Sequence, residues 1–154
     1  MQQASAFGVE YLQAMIDREI MVAKPMGIIV ESADEAAMIL RAPLAANANH
    51  KGTAFGGSIY SIAVLTGWAW MTRFLATRKF DAEAVIQESS IRFLAPVHGE
   101  MRASIEIPAA AEVDKFRKML ERARRGRIRL QVNVHAGATL ATVFDGLFAA
   151  AMRR

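Results

Sequence analysis

The chain has 154 residues, of which 53% are hydrophobic and 22% charged, and a formal net charge of +4. That length and apolar content suffice for one packed domain, residues 1–154, and the absence of cysteine removes disulfides, a thiol nucleophile and thiolate metal sites. The basic balance points to an acidic partner, whether a phosphorylated handle, an acidic carrier protein, nucleic acid or an anionic membrane, without choosing among them.

Met1 to Phe7 has no basic stretch leading into an apolar core and a small-residue cleavage site, so the expected location is the cytoplasm. From about Val9 to Val22, Leu12, Met15, Ile16 and Ile20 recur at helical spacing, which predicts an N-terminal helix stopped by Pro25. Met26 to Val30 and Ala37 to Leu44 are short apolar runs separated by Glu31-Ser32-Ala33-Asp34-Glu35, and together they predict a hairpin. The polar, small-residue stretch from Asn47 to Gly52 reads as a loop. From Ser58 onward, apolar residues from Ile59 to Met71 surround the helical wheel on every side. The expectation is a helix of about 16 residues buried all round. The uncharged run from Gly52 to Thr72 is long enough to span a bilayer, but its four glycines favour a buried loop and helix, and no membrane role is expected.

Past Arg73, the segments Ala84 to Val97, Glu100 to Ile107, Arg127 to His135 and Thr139 to Ala149 read as strands. Pro96-Val97-His98-Gly99 turns the first into the second. Between Ile107 and Arg127 lies a stretch of good helix formers that Gly126 stops. An apolar helix needs cover, and a curved antiparallel sheet wrapped around it supplies that cover in an α+β domain. Such a sheet leaves an open edge, which predicts a homodimer or a dimer of dimers.

The run Asn47-Ala48-Asn49-His50-Lys51-Gly52-Thr53-Ala54-Phe55-Gly56-Gly57-Ser58 resembles the hotdog-fold family of thioesterase-like proteins found alone or fused behind an acetyltransferase domain of the GNAT type. Leu65-Thr66-Gly67-Trp68 and the segment from Arg92 to Glu100 share the likeness, which covers nearly the whole chain. The resemblance implies acyl thioesters carried on coenzyme A or on the phosphopantetheine of acyl carrier protein, a link to fatty-acid metabolism, sites at a dimer interface, and no cofactor or metal. It leaves three functions open: hydrolysis, decarboxylation of a malonyl-carrier thioester, and carrier binding without turnover. One departure concerns the acid that hotdog thioesterases usually place on the central helix or the loop before it. Between Leu44 and Met71 this chain has no Asp or Glu.

Thioester chemistry builds negative charge on the carbonyl oxygen, and backbone N–H groups at a helix N-terminus can stabilise it. Gly57 is the first choice of donor, with Gly56 permitting close approach and Ser58, Thr53 and Phe55 as neighbouring substrate contacts. Asn47 and Asn49 offer carboxamides that donate and accept, or that shape a turn. His50 is a candidate base and Glu88 the most plausible acid for activating water. A serine nucleophile is disfavoured because no Gly-x-Ser-x-Gly elbow surrounds Ser58. His98 and His135 read as structural. Arg122, Arg124 and Arg125, within a cluster that includes Lys115, Arg117, Lys118 and Arg127, suit phosphates or an acidic carrier surface. Nucleic acid is not expected, since Phe116 is the only aromatic among these cations.

Overall fold

Alternate residues of a long basic strand, from Gly126 through Val134, are buried while the arginines between them face solvent. That period-two pattern sets a one-sided sheet. The computed structural model describes residues 5–154. In chain order it contains α1 (Val9–Glu19), α2 (Ala23–Met26), β1 (Ile29–Ala33), β2 (Met38–Ala42), a 3-10 turn (Ala45–Asn47), α3 (Gly56–Thr77), β3 (Ala82–Phe93), β4 (Met101–Glu106), α4 (Ala110–Ala123), β5 (Arg125–Ala136) and β6 (Thr139–Met152). The six strands form one antiparallel sheet in the order β1-β2-β4-β5-β6-β3. It curves around α3, with Leu40, Ala103, Val132, Phe144 and Phe148 on the buried face. This is the hotdog arrangement.

Gly67 lies at the closest crossing of helix and sheet. A Cβ there would stand 2.3 Å from the Phe148 ring, so only a glycine lets β6 pack this tightly on α3. No helix among the described residues is long and apolar enough to cross a membrane.

The two sheet edges are treated differently. On the β1 side, Gln13 of α1 accepts a hydrogen bond from the Val30 N–H at 2.8 Å and donates one to the Ile28 carbonyl at 3.1 Å. These two bonds use edge groups that another strand would otherwise need. β3, at the opposite end of the order, has β6 on one side and, among the described residues, no strand on the other.

Four expectations change. Pro25 does not stop α1, which ends at Glu19; it sits inside the short α2, and Gly27 closes that helix with a φ of 72°. β1 begins at Ile29 rather than Met26. Gly126 is not the stop of α4: Arg124 takes the left-handed cap position at φ 60°, and Gly126 is a strand residue held close beneath Phe116 and Met119. The fourth concerns α3, which begins at Gly56 and runs to Thr77. Most of its faces are buried, but a stripe of Tyr60, Ser61, Val64, Trp68 and Thr72 is only partly covered, and Gly57 at its head is exposed. The helix is not buried all round because β3, the strand beside this stripe, has no neighbour beyond it.

Candidate active site

The loop before α3 is built by its asparagines. The Asn49 Oδ1 accepts the N–H groups of Lys51 (2.9 Å) and Thr53 (3.2 Å), its Nδ2 donates to Thr53 Oγ1 (2.9 Å), and its own N–H donates to the Thr53 carbonyl (2.7 Å). This closed turn uses the short side chain to satisfy backbone groups that a tight loop cannot pair otherwise. Asn47 is 3% exposed, and its Nδ2 donates to the carbonyls of Met26 and Pro43, both at 2.8 Å. Its Oδ1 is buried and has no partner among the described residues. The Asn47 carbonyl accepts the Phe55 N–H at 2.7 Å, and the Val97 carbonyl accepts that of Ala54 at 2.9 Å. The loop is thereby tied to α2 and to the turn after β3, and it delivers the chain to the start of α3 in a fixed direction.

The start of α3 is uncapped. Phe55 occupies the N-cap position in extended conformation and no side chain caps the helix. The first bond of the helix runs from the Ile59 N–H to the Phe55 carbonyl at 3.0 Å, so the N–H groups of Gly56, Gly57 and Ser58 have no helical acceptor. These groups carry the positive end of a helix of 22 residues. A Cβ on Gly57 would meet the Phe55 ring at 2.5 Å, so glycine lets that ring fold over the helix end. Phe93, from the end of β3, lies on the other side of Gly56. Phe55 and Phe93 are 58% and 54% exposed, unusual for large aromatics beside a buried helix.

Below this helix end runs a groove of about 470 Å³, lined by Val22, Met26, Tyr60, Val64, Trp68 and Ile86 among others. Its polar groups are few: the hydroxyls of Tyr60 and Ser61, of which the first hydrogen-bonds the Ser89 hydroxyl on β3 and the second donates to the Gly57 carbonyl at 2.8 Å. On α3, Gly57, Ser61, Val64 and Trp68 fall on one face, so the groove, which begins at Tyr60 and Ser61, lies about one turn below Gly57 on the same stripe.

A family model described as "Putative thioesterase (yiiD_Cterm)" matches residues 9–152. The chain belongs to that family. Among solved structures it is similar to a protein of unknown function from Chlorobaculum tepidum, with 28% identity, 94% of each chain covered and a TM-score of 0.90. It is similar also to a putative thioesterase from Shewanella oneidensis, with 29% identity, coverage of 93% of this chain and 96% of that one, and a TM-score of 0.84. A Pseudomonas aeruginosa protein at 19% identity and a TM-score of 0.79 shares the fold. The chain is thus a thioesterase-like hotdog protein.

In this thioesterase-like chain the other residues singled out from sequence fall into three places. His50 and Lys51 sit exposed at the tip of the asparagine turn, and Thr53 is held within it by Asn49. Glu88 lies on the outer face of the sheet, in a row with Leu147 and Arg129 and close enough to the latter to act on its charge, so it points away from α3. Arg122, Arg124 and Arg125 lie at the opposite end of α3. There Phe116 of α4 packs on Phe74, and Phe74 is about 25 Å along the helix from Gly57. The structure therefore assembles Asn47, Asn49, Thr53, Phe55, Gly56, Gly57 and Ser58, and leaves Glu88 and the arginines elsewhere. Tyr60 and Ser89 were not anticipated. The signal available was a phenol inside a largely apolar helix, whose hydroxyl needs a partner when buried. Among the described residues no cluster of His, Asp and Glu could hold a metal.

Proposed function

We propose that this chain hydrolyses acyl thioesters carried on coenzyme A or acyl carrier protein, with the carbonyl oxygen received by the Gly57 N–H at the uncapped start of α3. The observation that carries this reading is an uncapped helix start with three free N–H groups, about one turn from an apolar groove on the same helix face, in a chain of a thioesterase family. Water adds to the carbonyl carbon, the oxygen takes negative charge against the N–H groups, and the C–S bond then breaks. The thiolate leaves and takes up a proton, and the acyl group departs as a carboxylate. Preorganised donors aimed at the developing oxyanion are worth about 10²- to 10³-fold in rate. His50, the one ionisable side chain of the loop besides Lys51, is the candidate to draw the proton from water. A second copy pairing along β3 completes the site, since Phe55, Phe93, Leu94 and Val85 are each more than half exposed along or beside that edge. Arg122, Arg124 and Arg125 of the same protomer, at the far end of α3, take no part in this step.

A second reading is favoured by one observation, the absence of any Asp or Glu from Leu44 to Met71 together with the outward position of Glu88. The same donors would stabilise the enolate left when a malonyl thioester loses carbon dioxide. The carboxylate C–C bond breaks, its electrons form the enolate, and a proton then returns to carbon to give an acetyl thioester. No water needs activating. Incubation with malonyl- and medium-chain acyl thioesters, following free thiol and carbon dioxide separately, tests both readings. Thiol release from the acyl series supports hydrolysis, carbon dioxide without thiol supports decarboxylation, and neither product removes both.

A further inference from the structure

The apolar groove does not run the full length of α3. It meets a second and more polar cleft of about 640 Å³, whose rim carries Arg18, Glu19, Asp81, Glu83 and Arg153. The residues common to both are Ile20, Trp68, Ala84 and Val85. Of these only Trp68 belongs to the helix stripe that begins at Gly57, and it is the largest of the four. Val64, one turn above it, lines the apolar groove alone. Trp68 thus stands as a partition, with the apolar groove, which begins about one turn below the free N–H groups, on one side and a charged rim on the other.

Its position converts into a length. Trp68 lies about 16 Å down the helix axis from Gly57. Long side chains on a helix lean back toward its N-terminus, and a lean of about one turn leaves about 11 Å of apolar stripe above Trp68. A staggered hydrocarbon chain with bonds of about 1.5 Å advances about 1.3 Å per carbon. We propose that Trp68 sets the acyl-chain limit of this site, accepting straight chains of up to about eight to ten carbons and turning longer ones away from the charged cleft. The inference rests on the reading of α3's N-terminus as the thioester site.

The test uses S-alkyl coenzyme A thioethers of four to sixteen carbons, which cannot be hydrolysed, with binding to the full-length protein measured by calorimetry. In the native chain, affinity should rise about fourfold per added methylene and level off at about eight to ten carbons. Trp68→Ala, which joins the two cavities, should move that plateau outward by about three carbons or more. Val64→Phe, which fills the groove one turn higher, should move it inward by about two. Should Trp68→Ala not fold, Trp68→Phe is the outward variant, with a smaller shift. A plateau at one length in the native chain and both variants overturns the proposal, as does native binding that ignores chain length. If the plateaus move as stated while no thioester of any length is hydrolysed, hydrolysis falls and the role of Trp68 stands. If thioesters are hydrolysed and the plateaus do not move, the reverse holds.

Discussion

Asn47 shows what one side chain does for this site. Its two amide hydrogens satisfy the carbonyls of Met26 and Pro43, and its backbone carbonyl anchors Phe55. Read from sequence, its carboxamide suited either a substrate or a turn. In the folded chain Asn47→Ala leaves two carbonyls short of a donor, one of them fully buried, and should cost about 2 to 6 kcal/mol, since each buried unsatisfied group costs about 1 to 3. Urea unfolding measures this, and an unchanged midpoint would contradict it. Gly67→Ala should cost about 1 to 3 kcal/mol by overpacking against Phe148, read by the same titration. The loop motif was legible because its residue types are turn chemistry at close spacing. Which way each amide points was not, because Asn47 faces α2, an element 20 residues earlier that sequence reading took for the end of a helix and the start of a strand. Tyr60 went unnoticed for a related reason. A helical wheel records what is apolar, and only the order of strands in the sheet decides which stripe is left open.

Among the elements, α4 carries the densest charge, and part of it is spent internally. Arg117 bridges Asp114 at 2.6 Å and Glu121 at 2.7 Å, while Lys118 reaches Asp114 at 3.0 Å. The hydrogen bond from Arg117, then that from Lys118, holds the Asp114 carboxyl below its ordinary value. A carboxylate with a depressed value in the folded state adds stability above its unfolded value, and loses that contribution as pH falls through the folded one. Asp114→Asn should therefore melt slightly below the native chain near neutral pH and converge with it at acid pH. The effect is small because these pairs are exposed. A difference in melting temperature that stays constant down to acid pH would contradict the assignment. The helix itself was legible from its composition, yet its end was not. Gly126 looked like the stop, but Phe116 needs the space above it, and Arg124 turns the chain instead.

At the scale of the whole molecule, the sheet has one edge engaged by Gln13 and one bare edge of 12 residues in β3. Exposed Val85, Phe93 and Leu94 along or just beyond it make a monomer costly in water, so sedimentation at micromolar concentration should give a dimer. A Val85→Lys variant should shift that equilibrium toward monomer, and a native chain that sediments as monomer would contradict the pairing. The wrapped sheet and its central helix were legible in sequence, because apolar periodicity and strand spacing are local properties. The uncovered stripe from Gly57 to Trp68 was not, since it arises only when β3 takes the edge of the sheet. The central claim, that the Gly57 N–H receives a thioester carbonyl, can be tested by removing that one hydrogen. Incorporating glycolic acid in place of Gly57 turns the amide into an ester and leaves the side chains unchanged. Free-thiol release from medium-chain acyl coenzyme A should then fall about 10²- to 10³-fold in kcat against the native chain, with folding retained; an unchanged kcat would contradict the claim.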